Sequence, residues 1–336
     1  MSKPRIAIAS LGGTITMVSN AGGTTGVRPR LNVDDLVSTA PSIADVASLK
    51  TETLATMPGA SLEPKDLHRA LEWARQAVLE GVDGVVLVQG TDSIEESAYL
   101  LDLYWDRPEP LVITGAMRSP ETPGFDGPAN LLASVLTAAS AGSRELGVLA
   151  VMNDEVHAAS RVRKMRASGV SAFSSPNFGP LAYVEEGRVV HGNTLTRFPP
   201  LPLTGMSGTS RVALLETHLG DDGTLLSLAR EAGFDGIVVA GYGVGHVSAL
   251  MADAVSTAIE CCPVVLSSRT GGGTTFDETY GFTGSESDLI ARGAIAAGWL
   301  DPRKARILLN CLIAGGNDRS AIQAQFSLRG GSRAKL

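Results

Sequence analysis

Short apolar runs that stop at a glycine turn constrain the fold of this chain more than any other feature. The run 85–88 is apolar at every position and ends at Gln89-Gly90, and the runs 5–10 and 110–114 end at Gly12-Gly13 and Gly115. Strands that are apolar on both faces are typical of a parallel sheet with helices packed on each side. The sequence therefore predicts an α/β fold.

Helix-like segments separate these runs. Leu67, Leu71, Ala74 and Val78 recur at helical spacing and predict a helix over 64–80. The alternation predicts a doubly wound, mainly parallel sheet with right-handed crossovers. The predicted strands are 5–10, 85–88, 110–114 and 146–152, and the predicted helices are 64–80, 93–103 and 127–141.

A proline-rich stretch, 197–203, interrupts the alternation. We interpret 192–210 as a linker between an N-terminal catalytic domain, 1–191, and a smaller α/β domain of flavodoxin-like type, 211–336. In the smaller domain the predicted strands are 211–215, 236–239 and 263–267, and the predicted helices are 223–232, 248–260, 286–297 and 302–314. The tail 329–336 is expected to fray.

Composition excludes several classes of function. The net charge is −7 without an extended basic run, which disfavours a nucleic-acid partner. No apolar run approaches the ~18 residues of a membrane span, and the N-terminus lacks a secretory leader, so we expect a cytoplasmic protein that binds no membrane. Cys261, Cys262 and Cys311 lack metal-site spacing and are expected to be buried small hydrophobes.

The strand ends mark the expected ligand site. Thr14, Thr91, Gly115 and Asn153 each follow a predicted strand. Because ligands of doubly wound sheets bind at the carboxyl ends of the strands, these positions should converge on one cleft. Glycines before Thr14 would let the backbone turn tightly and approach a ligand closely. The segment lacks the G-x-G-x-x-G spacing and the Walker lysine of nucleotide-phosphate sites.

Each motif also has a purely structural interpretation. Thr14 is compatible with a capping residue in a glycine-rich turn. Thr91 and Asp92 fit a helix start, where the helix dipole also favours Glu95 and Glu96. Lys164 fits an exposed lysine, or a general base if burial or nearby cations lower its pKa.

Taken together, the motifs resemble those of the L-asparaginase/glutaminase family of bacterial amidohydrolases. The family signature T-G-G-T-I corresponds to LGGTI at 11–15, and H-G-T-D-T corresponds to QGTDS at 89–93. The segments Gly115-Ala-Met-Arg118 and Pro302-Arg-Lys-Ala-Arg306 also match, and Lys164 matches the family lysine. The resemblance covers nearly the whole chain.

The resemblance implies a mechanism and a set of site residues. Thr14 would be the nucleophile that forms an acyl-enzyme, and Thr91, Asp92 and Lys164 would form a second triad. The backbone N–H groups of Thr91 and Ala116 would stabilise the oxyanion. The substrate-binding positions implied in the first domain are Gly59, Ala60, Ser61, Gly90 and Ala116. No metal and no organic cofactor is implied.

The resemblance also implies a homo-oligomer, a dimer or a tetramer, in which the smaller domain of a neighbouring subunit closes the site. His246, at the end of the glycine-rich segment 241–246, is the candidate for the polar group supplied in this way, and a structural turn histidine is the alternative. Glu286 is the corresponding candidate carboxylate.

Three departures from the family pattern bear on the substrate. The loop 22–29 has no tyrosine, and Val27 stands near its place; Gln89 replaces the signature histidine. Gly59 and Ala60 replace the usual serine and polar residue, leaving Ser61 or Arg28 to supply the missing contacts. The leading hypothesis is hydrolysis of L-asparagine. A related amidase or lactam hydrolase and a non-catalytic binding homologue are the alternatives.

Overall fold

The computed structural model describes residues 3–19, 26–206 and 208–331. The chain divides into two compact units, Met1–Pro200 and Leu201–Leu336, and the division lies within the segment 192–210. In the described part of the chain, no helix has both the length and the apolar character needed to cross a membrane.

The first unit contains one large sheet. Its strands, together with those of two small hairpins, are β1 (Arg5–Gly12), β2 (Met17–Ser19), β3 (Val27–Pro29), β4 (Ser48–Met57), β5 (Gly84–Val88), β6 (Leu111–Thr114), β7 (Val148–Met152), β8 (Glu155–Ala158), β9 (Arg163–Lys164), β10 (Phe173–Ser174), β11 (Ala182–Glu185) and β12 (Arg188–His191). The order in the large sheet is β12-β11-β8-β7-β6-β5-β1-β4. The five strands from β4 to β7 run parallel and the remaining three continue antiparallel, which confirms the predicted fold class.

Helices of this unit pack against the parallel strands. They are α1 (Val33–Ser38), α2 (Ile43–Val46), α3 (Pro64–Leu79), α4 (Ile94–Asp102) and α5 (Gly127–Ala139). Residues in β5, β6 and β7 are all buried, as expected for strands covered on both faces. The helix α3 begins where the sequence predicts, with Pro64 in its first turn and a capping box between Glu63 and Asp66.

The second unit is a smaller parallel α/β domain. Its strands are β13 (Val212–Glu216), β14 (Gly236–Gly241), β15 (Val264–Ser268) and β16 (Ile295–Ala296), paired in that order. Its helices are α6 (Thr224–Glu231), α7 (Ala249–Ile259), α8 (Glu286–Ala291), α9 (Pro302–Ala314) and α10 (Arg319–Gly330).

Two predicted features of the second unit are wrong. The helix expected over 286–297 ends at Ala291, because Gly293 has a φ of 108° and the chain then turns into β16. The sequence predicts a tail that frays from Arg329, yet Arg329 and Gly330 complete α10, whose N-terminus is capped by the Asp318 side chain. Residues 332–336 lie outside the described residues.

The cysteines are free thiols. Cys262 and Cys311 are buried, as the sequence predicts, but Cys261 is exposed, so that prediction is wrong for this residue. The cause is its position in the turn that follows α7, where Cys262 faces the core.

Candidate active site

The first glycine turn brings Thr14 to the end of β1. Gly12 and Gly13 have φ angles of 103° and 90°, a region that favours glycine. The N–H of Gly13 donates to the carbonyl of Met57 at 2.9 Å, and a β-carbon on Gly12 would lie 2.5 Å from the nitrogen of Met57. Thr14 then starts a short 3-10 turn, Thr14–Thr16, and is half-buried.

The second turn lies against the first. A β-carbon on Gly13 would lie 2.2 Å from the Cα of Gly90, and a β-carbon on Gly90 would lie 2.5 Å from the nitrogen of Gly59. Three glycine backbones are therefore stacked in contact at the ends of β1, β5 and β4. Because Thr14 and Thr91 directly follow two of these glycines, the stack fixes the places of both threonines.

Lys164 contacts the second turn. Its Nζ donates to Thr91 Oγ1 at 3.0 Å and to Asp92 Oδ1 at 2.9 Å. Thr91 is buried, and the Lys164 side chain is only 15% exposed, whereas that of Asp92 is 64% exposed. The lysine thus reaches the threonine from the protein interior, and the aspartate forms the solvent side of the cluster.

The ends of β6 and β7 are tied together by Asn130. Its Nδ2 donates to the carbonyl of Gly115 at 3.0 Å, and its Oδ1 accepts from the N–H of Asn153 at 2.9 Å. Asp126 accepts from the N–H groups of Met117 and Arg118 at 3.0 and 2.9 Å. These contacts hold the backbone on both sides of Ala116, which is buried.

The segment 59–61 forms a 3-10 turn beside this cluster. Gly59 is buried, whereas Ala60 and Ser61 are exposed. Ser93 Oγ donates to the carbonyl of Gly59 at 2.9 Å. A β-carbon on Gly59 would lie 2.8 Å from the carbonyl oxygen of Gly90, so any side chain at this position requires the backbone to shift.

Gln89 occupies a fully buried position behind the second turn. Its Nε2 donates to Ser97 Oγ at 3.1 Å, while its Oε1 is inaccessible and has no hydrogen-bond partner within the described part of the chain. Its side chain is directed into the helix α4 that follows. Residues 20–25 of the loop that would cover Thr14 lie outside the described residues, and Val27 and Arg28 are exposed in β3.

The second unit brings its two candidates together. His246 Nε2 lies 3.0 Å from Glu286 Oε2, and the imidazole makes edge contacts with the rings of Tyr280 and Phe282. The carboxylate of Glu286 is buried and also accepts from the N–H groups of Thr279 and Tyr280. Burial raises the pKa of Glu286, but the backbone donors and His246 outweigh it and lower the pKa overall. The substrate role of both residues stays a prediction.

Some contributors to the site are absent from the sequence-based set of candidates. Ser93, Glu95, Asp126 and Asn130 hold the reactive positions through hydrogen bonds. Among the described residues, no group of three or more His, Cys, Asp and Glu side chains is placed to hold a metal ion.

A parallel α/β sheet with a Lys–Thr–Asp cluster and a second threonine at its strand ends defines a class of enzyme that uses side-chain hydroxyl groups. The family comparison gives the particular family. The Asparaginase, N-terminal model matches residues 5–197, and the Glutaminase/Asparaginase C-terminal domain model matches 211–326. The chain belongs to the asparaginase family, as the motifs predict, and is an amidohydrolase.

Individual relatives agree over nearly the full length. L-asparaginase 2 from Escherichia coli K12 is 32% identical over 97% of this chain and 94% of its own. The crystal structure of a probable cytoplasmic L-asparaginase from Campylobacter jejuni is 32% identical, with a TM-score of 0.86 over 96% of this chain and 99% of that chain. A component of the glutamyl-tRNA(Gln) amidotransferase of Methanosphaera stadtmanae is 28% identical over 90% of this chain and 70% of its own.

Proposed function

We propose that the chain hydrolyses L-asparagine to L-aspartate and ammonia, with Thr14 as the nucleophile. The observation that carries the proposal is the contact between the two glycine turns, which sets Thr14 beside a threonine already hydrogen-bonded to a lysine. Relatives of this chain are named L-asparaginases. Splitting amide hydrolysis into two steps is the usual reason for a covalent intermediate.

In the first step the hydroxyl oxygen of Thr14 adds to the side-chain amide carbon. The carbon–nitrogen bond then breaks, the hydroxyl proton leaves with the nitrogen as ammonia, and an aspartyl ester remains on Thr14. The backbone N–H groups of Thr91 and Ala116 are the proposed oxyanion donors, and each such donor is worth about 3 kcal/mol in the transition state. Asn130 and Asp126 hold the backbone around Ala116.

In the second step water hydrolyses the ester. Because Thr91 Oγ1 accepts from Lys164, its own hydrogen is free to point toward the cleft or toward a water molecule. Lys164 and Asp92 then pass the proton needed when the carbon–oxygen bond breaks and Thr14 regains its hydroxyl. Asp92, which is largely exposed, also suits the α-ammonium group of the substrate.

The position of Gly59 supports a second candidate function, hydrolysis of a different small amide. The backbone contact with Gly90 leaves no room for the side chain that would hold an α-carboxylate at this point. Sites that lose such a hydrogen-bonding group lose much of their preference for the substrate that carries it. D-asparagine, glutamine, peptidyl-asparagine and lactams are the compounds to compare.

The decisive experiment measures ammonia release from L-asparagine by the wild type, Thr14→Ala and Thr14→Ser. We expect Thr14→Ala to lose on the order of 10³-fold or more in kcat and Thr14→Ser, which keeps the hydroxyl, to retain measurable turnover. Rapid quenching and mass spectrometry should find an aspartyl adduct on the peptide that contains Thr14. Equal rates for the wild type and a folded Thr14→Ala protein would refute the assigned nucleophile.

A further inference from the structure

Glu95 is a carboxylate in the first turn of α4 that faces the protein interior. It is only 5% exposed, and its Oε2 accepts from the backbone N–H of Lys164 at 2.9 Å. We propose that Glu95 is the positioning residue for Lys164. This inference rests on the proposed function, because it assigns a role toward the lysine of that site.

The geometry gives one short segment control of both ends of the lysine. Thr91 and Asp92 accept from the Nζ of Lys164, and Glu95, in the following turn, accepts from its backbone N–H. The ammonium group and the main chain of Lys164 are therefore referenced to the same helix start. A displacement of β9 relative to α4 would break the Glu95 contact together with the two contacts at the ammonium group.

The strand that carries Lys164 has little other support. The strand β9 contains two residues and pairs with β10, in which Lys164 lies opposite Phe173. The next residue, Met165, donates its N–H to the carbonyl of Ala172 at 2.7 Å. These bonds join the hairpin to itself, whereas the bond to Glu95 joins it to the helix that carries Thr91.

The chemistry of the contact suits a positioning role. A carboxylate that accepts from an N–H group makes a shorter and stronger hydrogen bond than a neutral acceptor. A displacement of about 1 Å in a catalytic group can lower the rate about 10²-fold. Since glutamine keeps an acceptor oxygen at the same reach without the charge, Glu95→Gln separates the position of the lysine from the electrostatic effect of the carboxylate.

The kinetic experiment compares Glu95→Ala, Glu95→Gln and Glu96→Ala, a matched loss of the neighbouring carboxylate, in the full-length enzyme. We expect Glu95→Ala to lower kcat for L-asparagine about 10- to 100-fold with KM nearly unchanged, and to shift the pH profile of kcat. We expect Glu95→Gln to restore most of kcat and the wild-type pH profile, and Glu96→Ala to leave both unchanged. A purely structural role would lower the amount of active enzyme without moving the pH profile, and would overturn the proposal.

A second measurement needs no substrate turnover. The rate at which acetic anhydride labels Lys164 is read by peptide mass spectrometry in the same proteins. We expect faster labelling in Glu95→Ala alone, because the ammonium group then loses its fixed position against Thr91 and Asp92. Labelling of Glu95→Ala at the wild-type rate refutes the role of Glu95. A wild type that releases no ammonia from L-asparagine, but whose labelling responds as expected, refutes only the proposed substrate.

Discussion

The backbone of Gly13 lies against the backbone of Gly90, with no space for a β-carbon on either residue. Gly13 follows β1 and Gly90 follows β5, two neighbouring parallel strands. The contact therefore converts an alignment of strands into a fixed spacing of the two residues that follow, Thr14 and Thr91. It also explains why glycine precedes both threonines, which a capping role alone does not require.

Gly90→Ala tests this contact without backbone strain, because Gly90 has a φ of −68° that alanine adopts readily. The added β-carbon would lie 2.5 Å from the nitrogen of Gly59 and must push the turns apart. We expect about 1–3 kcal/mol of lost stability and at least ~10²-fold lower kcat. Urea denaturation and ammonia release measure the two effects. Gly192→Ala, whose β-carbon meets no atom within 4 Å, is the control; equal behaviour of the two variants would contradict the role of the contact.

Lys164→Met should abolish the hydrogen bonds to Thr91 and Asp92 while filling a similar volume. We expect kcat to fall about 10²- to 10⁴-fold, the range for loss of a positioned proton-transfer group. Lys164→Arg should not restore the rate, because a planar guanidinium does not place one nitrogen against both oxygens. Steady-state ammonia release is the measurement, and Lys65→Met, which removes a 73% exposed lysine side chain, is the control. A kcat above one tenth of the wild-type value in Lys164→Met would refute the proton-transfer role.

The sequence predicts the turns better than it predicts their surroundings. Apolar runs and glycines are local signals, so β1, β5, β6 and the threonines after them could be placed from the sequence. The meeting of Lys164 with Asp92, 72 residues away, depends on the packing of β9 against α4, and only the family resemblance anticipates it. The hairpin strands β9 to β12 are short and largely polar, and their pattern predicts no element.

Glu95 illustrates a different limit of prediction. At the start of a helix, a glutamate is normally explained by the helix dipole and by solvent. In the structure it belongs to the same buried face of α4 as Ala98, three residues later. A carboxylate at a core-facing position of the helical pattern is the signal that would have identified it. For Gly59, the sequence reveals a missing side chain, but only the contact with Gly90 explains why none fits.

Asn130→Asp should loosen the loop around Ala116. The substitution replaces the Nδ2 donor with an oxygen that faces the Gly115 carbonyl and the Asp126 carboxylate, each 3.0 Å from Nδ2. Because buried acceptors then face one another, we expect about 3 kcal/mol of lost stability at neutral pH and a lower kcat with little change in KM. Urea denaturation and kinetics provide the values. Asn317→Asp, at an exposed position where one bond to Leu312 is lost, should change stability much less; a comparable loss would argue against the bridging role.

His157 should make the stability of the protein depend on pH. Burial lowers its pKa from the usual 6.5 to about 4. Its Nδ1 lies 3.0 Å from Ser175 Oγ. The Glu155 carboxylate lies 3.2 Å from Nε2, but outside hydrogen-bond geometry, so burial rather than an ion pair controls the pKa.

The sign of the effect follows from which state takes up the proton. Between pH 6.5 and about 4, the unfolded chain protonates His157 and the folded chain does not. The stability contribution is therefore present above pH 6.5 and is lost as the pH falls toward 4, by about 3 kcal/mol in total. Urea denaturation at several pH values should give a smaller loss for His157→Gln than for the wild type, whereas His68→Gln, at a partly exposed position beside Glu72, should retain the wild-type loss. Parallel pH curves for the wild type and His157→Gln would show that His157 is not the titrating group.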